Sequence, residues 1–165
     1  MRNYNDYRNQ QPGLQDQAMR AAREGDYHYF SSLATADQNQ VLAFKDAKGY
    51  SPLMLASYHG HLDITALLLS WGGDANDSDF GGNTLLMGAA FKGHGGIVRL
   101  LLSHGADIDL TNEKGLSAAL YAQMFGRGDV LKILRKNSKI NFNRKLKAWL
   151  SFFKMNLVNE RKHNV

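Results

Sequence analysis

Cysteine is absent from the 165 residues of this chain. That excludes a disulfide framework and any thiolate metal site, and it fits a reducing compartment, so a cytoplasmic location is the expectation. Long apolar runs are absent too. None approaches the roughly 18 residues that a membrane-crossing helix needs. The opening MRNYNDYRNQQPG has no apolar core of the kind a secretory signal carries. The constellations of common catalysts are also missing. Ser, His and Asp occur, but no serine sits in a nucleophile elbow, and no glycine-rich strand–loop–helix is present to cradle phosphate. The acidic stretch GGDANDSDFGG, residues 72–82, superficially resembles a calcium loop. It lacks the closing Glu twelve positions from the first ligand. His59, His61 and Asp63 alternate across a glycine turn and do not converge on a metal. No catalytic residue, metal or cofactor is expected.

Negative charge is scarce in one place only. The chain carries a net charge of +5. Residues 1–138 hold 13 Lys/Arg against 14 Asp/Glu, whereas residues 139–165 hold seven Lys/Arg against one Glu. The basic character therefore belongs to the C-terminal segment. There, RKLKAWLSFFKMNLV places Leu146, Trp149, Leu150, Phe153 and Leu157 on one helical face, with Lys145, Lys147 and Lys154 elsewhere. Two readings stay open for this helix, over residues 144–165. It closes the end of the fold, or it also binds a partner, an anionic membrane or nucleic acid through those lysines.

What the chain does contain is one sentence written twice. DAKGYSPLMLASYHGHLDITALLLSWGGDANDS, residues 46–78, returns 33 residues later as DFGGNTLLMGAAFKGHGGIVRLLLSHGADIDLT, residues 79–111. A looser third copy runs over 112–143, and a degenerate first unit over 14–45. A period near 33 marks stacked units, each of which buries its apolar face against the next. Gly49, Ser51, Pro52, Leu53, Ala56, Gly60 and His61 in one copy, with Gly82, Thr84, Leu85, Leu86, Ala89, Gly93, His94, Gly105, Ala106 and Asp107 in the next, carry a pattern that resembles the ankyrin repeat. The resemblance implies an all-α repeat solenoid of helix-turn-helix units with short hairpin-like loops and capping helices at both ends. It covers 14–143, and residues 1–13 read as a flexible arm.

The residues explain why such a unit folds. Gly49 and Gly82 suit a tight turn with positive φ. Ser51 and Thr84 are N-caps, with Pro52 in a first helical turn that needs no N–H from it. Gly60 and Gly93 end the first helix, Gly72 and Gly105 the second, and leucines fill the second helix between. Ala56, Ala89 and Ala122 permit close approach of successive helices. His61 and His94 occupy motif positions and read as structural. In the first unit, helices through Ala18–Ala22 and Tyr27–Leu33 are expected, with the two extra residues taken up in a loop near Ala36–Gln40. Met54, Met87 and Leu120 replace the motif's usual histidine, so the joints between units should depend more on packing. Gly88, Gly95 and Gly96 should make the second repeat the softest. Asn137 stands where a left-handed turn is expected to end the third.

In such arrays the turn tips and the exposed side of each first helix form a concave surface where partners dock. By register that surface is Ala47, Lys48, Tyr50, Tyr58 and His59, then Phe80, Gly81, Asn83, Phe91 and Lys92, then Glu113, Lys114, Leu116, Met124 and Phe125. Five of these fifteen are aromatic, against 10% of the chain, and exposed aromatics flanked by lysine resemble binding hot spots. The competing reading is that Phe91 and Phe125 simply pack against neighbouring helices. The function expected is a monomeric, non-catalytic module that binds another protein on its concave face.

Overall fold

The computed structural model describes residues 13–138. The N-terminal arm, the end of the third repeat and the basic segment with Lys145, Lys147 and Lys154 lie outside the described residues. Eight helices precede a last helical stretch at 128–138. They are α1 (Leu14–Glu24), α2 (Tyr27–Ser31), α3 (Thr35–Ala43), α4 (Pro52–His59), α5 (Leu62–Ser70), α6 (Leu85–Lys92), α7 (Gly95–Ser103) and α8 (Ala118–Met124). No strand forms among the described residues. Two isolated antiparallel bridges, Ser78 with Thr84 and Thr111 with Ser117, pin the turns between repeats.

The helices form two layers. α1, α4, α6 and α8 stand side by side in that order, and α2, α5 and α7 back them. The inner helices α4, α6 and α8 each begin at a hydroxyl cap, whereas α1 starts at Gly13 with no side-chain cap. The side chains of Ser51, Thr84 and Ser117 accept from the N–H groups of Met54, Met87 and Leu120. This satisfies one of the orphan donors at each helix start. Ala18, Ala22, Ala56, Ala89 and Ala122 are fully buried where inner helices approach, as the small-residue column requires. Ile64, Leu68, Val98 and Leu101 fill the space between layers at zero exposure. Each such side chain contributes about 1.5–3 kcal/mol by leaving water.

The first unit departs from expectation. Its extra residues are not a loop but the helix α3, which buries Val41 and packs on α1 and α4. A five-residue α2 and a nine-residue α3 thus replace one second helix. Asn137 also differs. It remains helical, and its side-chain Nδ2 donates to the Ile133 carbonyl at 2.9 Å. The amide supplies a local partner, and the left-handed turn is not made there.

Hydrogen bonds between units are more numerous than the loss of the motif histidine suggests. His61 Nε2 donates to the Arg23 carbonyl and His94 Nε2 to the Tyr58 carbonyl, both at 3.1 Å, and Arg127 Nε donates to the Phe91 carbonyl at 3.0 Å. A carbonyl can only accept, so each histidine carries its proton on Nε2. These three side chains stand 33 residues apart and each ties down the end of the preceding inner helix. The turn tips form a second ladder, in which Phe80 N–H donates to the Lys48 carbonyl and Glu113 N–H to the Gly81 carbonyl. On the same side, Asp77 receives the Ser51 hydroxyl and the Lys45 ammonium.

Candidate functional site

The inner helices and turn tips enclose a groove of about 510 Å³. That is within the roughly 300–1,000 Å³ typical of ligand clefts. Its walls are mainly apolar: Met54, Leu55, Tyr58, Leu85, Met87, Phe91 and Tyr121, with Gly88 between them. Of the residues expected on the concave surface, Tyr50, Tyr58, His59, Asn83 and Phe91 line it. Lys92 lies at its mouth, with Nζ 5.0 Å from the centre of the Tyr58 ring. Ala47, Lys48 and Lys114 are exposed at the turn tips, outside the groove, while Gly81 and Leu116 are half-buried. Phe80 is 68% exposed and lies over the Gly49 turn. Glu113, Met124 and Phe125 are exposed and do not line the groove.

The aromatic residues form a continuous column across three repeats. Tyr58 and Phe91 are nearly parallel with centres 6.2 Å apart. Phe91 meets the edge of Phe125 at 4.4 Å and that of Tyr121 at 6.3 Å. Phe91 packs against its neighbours, and it remains only partly covered on the groove wall.

Polar atoms of the groove floor are already engaged. Asp79 accepts the N–H groups of Gly81 and Asn83 and both its oxygens receive Asn83 Nδ2. Asn83 Oδ1 receives Asn112 Nδ2 at 2.7 Å and the Tyr121 hydroxyl at 3.2 Å. Asn83 thus faces the groove as part of the joint between two repeats. Charge collects at the other side, where inner helices end. The His59 imidazole is pushed below its ordinary pKa by burial first, then by the nearby His61, Arg23, Lys92 and His94. His59 is neutral at physiological pH on that account.

Ten further residues line the groove without having been expected there, among them Arg23, Met54, Met87, Gly88 and Tyr121. Arg23 was within reach of the sequence, because it aligns with Tyr58 once Gly25 is set on Gly60. Gly88 shapes the wall by what it omits, since a Cβ there would lie 3.4 Å from Tyr58 Cδ2. Gly88→Ala should raise stability by about 0.5–1 kcal/mol, because alanine suits a helix interior better. The added methyl narrows the groove beside Tyr58. Urea melts and partner titrations on the same variant check the two effects separately. Among the described residues, no three His, Cys, Asp or Glu side chains cluster as a metal site, and no helix is long and apolar enough to cross a membrane.

Stacked helix pairs with capped inner helices, ladders of turn tips and a shared core define a repeat solenoid. The family model described as ankyrin repeats (3 copies) matches residues 18–112 and 72–146. The chain belongs to the ankyrin-repeat family, whose members are generally protein–protein interaction modules and typically not catalysts. It is similar to Ankyrin repeat and MYND domain-containing protein 1 of Mus musculus, with 43% identity over 60 residues. That match spans 33% of this chain and 6% of the mouse protein, so the likeness covers a small part of the mouse protein's length.

Proposed function

We propose that the chain acts as a non-catalytic adaptor, regulator or inhibitor, monomeric and cytoplasmic, that binds a protein partner in the groove. The observation that carries this reading is the aromatic column of Tyr58, Phe91, Tyr121 and Phe125 beside an open, mainly apolar cleft. Aromatic side chains give large contact area with few rotatable bonds, which is why they dominate interface energies. The polar floor is internally satisfied, so covering it with apolar surface strands no donor.

The test is affinity purification on the intact protein, followed by titration of each recovered partner against Tyr58→Ala and Phe91→Ala. Each substitution is expected to weaken a true groove partner at least about tenfold, the loss typical of an anchor worth more than 1 kcal/mol. Far-UV circular dichroism should show the helices intact. A partner whose affinity is unchanged by both substitutions binds elsewhere, and the groove reading then fails.

A further inference from the structure

The charges around the groove are sorted, although residues 1–138 are nearly neutral in sum. At the hairpin side, Asp79 is the groove's carboxylate, and both its oxygens are occupied by hydrogen bonds from its own turn. At the helix-end side stand Arg23, His59 and Lys92, with His61 and His94 close behind. Among the described residues, the groups that act on His59 in that setting are His61, Arg23, Lys92 and His94, and no carboxylate is among them. The ion pairs among the described residues are Lys45 with Asp77 and Lys132 with Asp129. Neither is at this rim. Arg23 and Lys92 therefore hold positive charge at the mouth of an apolar cleft, where low-dielectric walls focus the field.

We propose that the groove takes an extended acidic segment of another protein. One aromatic or branched aliphatic side chain seats between Tyr58 and Tyr121, and a carboxylate one or two residues away meets Arg23, His59 and Lys92. The proposal rests on the groove reading above and adds the chemistry of the occupant. Three features select that chemistry. The floor has spent its polar groups on Asn83, Asn112 and Tyr121, so it rewards apolar surface and offers little for a polar anchor. Among the described residues, Lys92 is held at the mouth only by the face of Tyr58. Such an exposed cation–π contact is weak enough for the ammonium to turn toward a carboxylate. The rim is one-sided, so the acidic residue points to the helix ends and the apolar anchor to the floor.

Peptide-display selection on the intact protein tests this, using random twelve-residue peptides. Enriched sequences are expected to pair an aromatic, Leu or Ile residue with Asp or Glu within two positions. Their binding, read by fluorescence anisotropy, should fall at least tenfold on Phe91→Ala and again on the double charge reversal Arg23→Glu/Lys92→Glu, and it should weaken with added salt. Arg23 meets His61 through its backbone carbonyl, so the reversal leaves that joint in place, and circular dichroism verifies it. Apolar peptides that need Phe91 but show no acidic bias, or that ignore the charge reversal, overturn the acidic assignment and leave the groove reading standing. No enrichment, or enrichment indifferent to Phe91→Ala, overturns both. Preference for a labelled oligothymidine over the acidic peptide also overturns the proposal.

Discussion

Gly49→Ala should lower the unfolding free energy by about 3–5 kcal/mol, whereas Gly105→Ala should lower it by only about 1–2 kcal/mol. The two glycines have nearly the same backbone, with φ of +83° and +86°. An L-residue strains in that region wherever it stands, at about 1–2 kcal/mol. What differs is the space. Around Gly105 a Cβ would meet nothing within 4 Å among the described residues. At Gly49 it would lie 2.7 Å from the backbone nitrogen of Phe80 and 2.9 Å from Phe80 Cδ1. The ring could swing away, but the nitrogen could not, because it donates to the Lys48 carbonyl at 3.2 Å. Relief requires the next repeat's turn to retreat, which breaks that hydrogen bond and opens the joint. The pair thus separates backbone strain from inter-repeat contact. Urea denaturation followed by circular dichroism and by tryptophan fluorescence measures both variants. Equal losses at the two sites would show that the turn ladder contributes nothing.

Gly49 also illustrates what a sequence makes legible. Its position announces a positive φ, because a local backbone rule leaves a residue-type signature. The same holds for the hydroxyl caps Ser51, Thr84 and Ser117, and for the alanines that let inner helices touch. The helix α3 was hidden because TADQNQVLA carries one fully buried side chain, Val41, and so no apolar stripe. A third of the groove lining was readable in the same way, since Tyr50, Tyr58, His59, Asn83 and Phe91 fall at positions that the repeat exposes. The remainder depends on juxtapositions over long distances. Tyr121 reaches Asn83 across 38 residues, and nothing in either neighbourhood marks the pair. Asn83 was readable as a surface letter that differs between copies. In three dimensions its amide is the link between two repeats.

The strongest test of that link is a substitution that looks harmless. Asn112→Asp is expected to cost about 2–3 kcal/mol at neutral pH, as a buried acceptor set against an acceptor should. Position 112 corresponds to Asp46 and Asp79 in the earlier repeats. In all three the side-chain Oδ1 accepts two N–H groups of its own turn: Lys48 and Tyr50, Gly81 and Asn83, Lys114 and Leu116. A carboxylate at 112 would serve that turn equally well. What it cannot do is donate. Asn112 is buried and its Nδ2 gives hydrogen bonds to Asn83 Oδ1 at 2.7 Å and to the Tyr121 oxygen at 3.2 Å. Replacing that nitrogen by oxygen sets two acceptors face to face. Rotating the Asn83 amide does not help, because its oxygen would then confront the Asp79 carboxylate, which now receives Nδ2. The Tyr121 hydroxyl can turn to the new carboxylate, but only by abandoning Asn83. The sign of the pH dependence follows. The folded protein raises the pKa of the introduced carboxyl above the value of about 3.9 it has when unfolded. Its protonated form can donate to Asn83 as the amide did. The cost relative to the parent chain is therefore small below about pH 4 and grows as pH rises from there through the raised pKa. Placed in an Asn83→Ala background, the same substitution should cost less than about 1 kcal/mol, since the opposing oxygen is gone. Urea midpoints for the four proteins of this cycle, at neutral and acidic pH, read out both effects. A cost that survives the loss of Asn83 unchanged would place the penalty in the turn at 112, not in the joint between repeats.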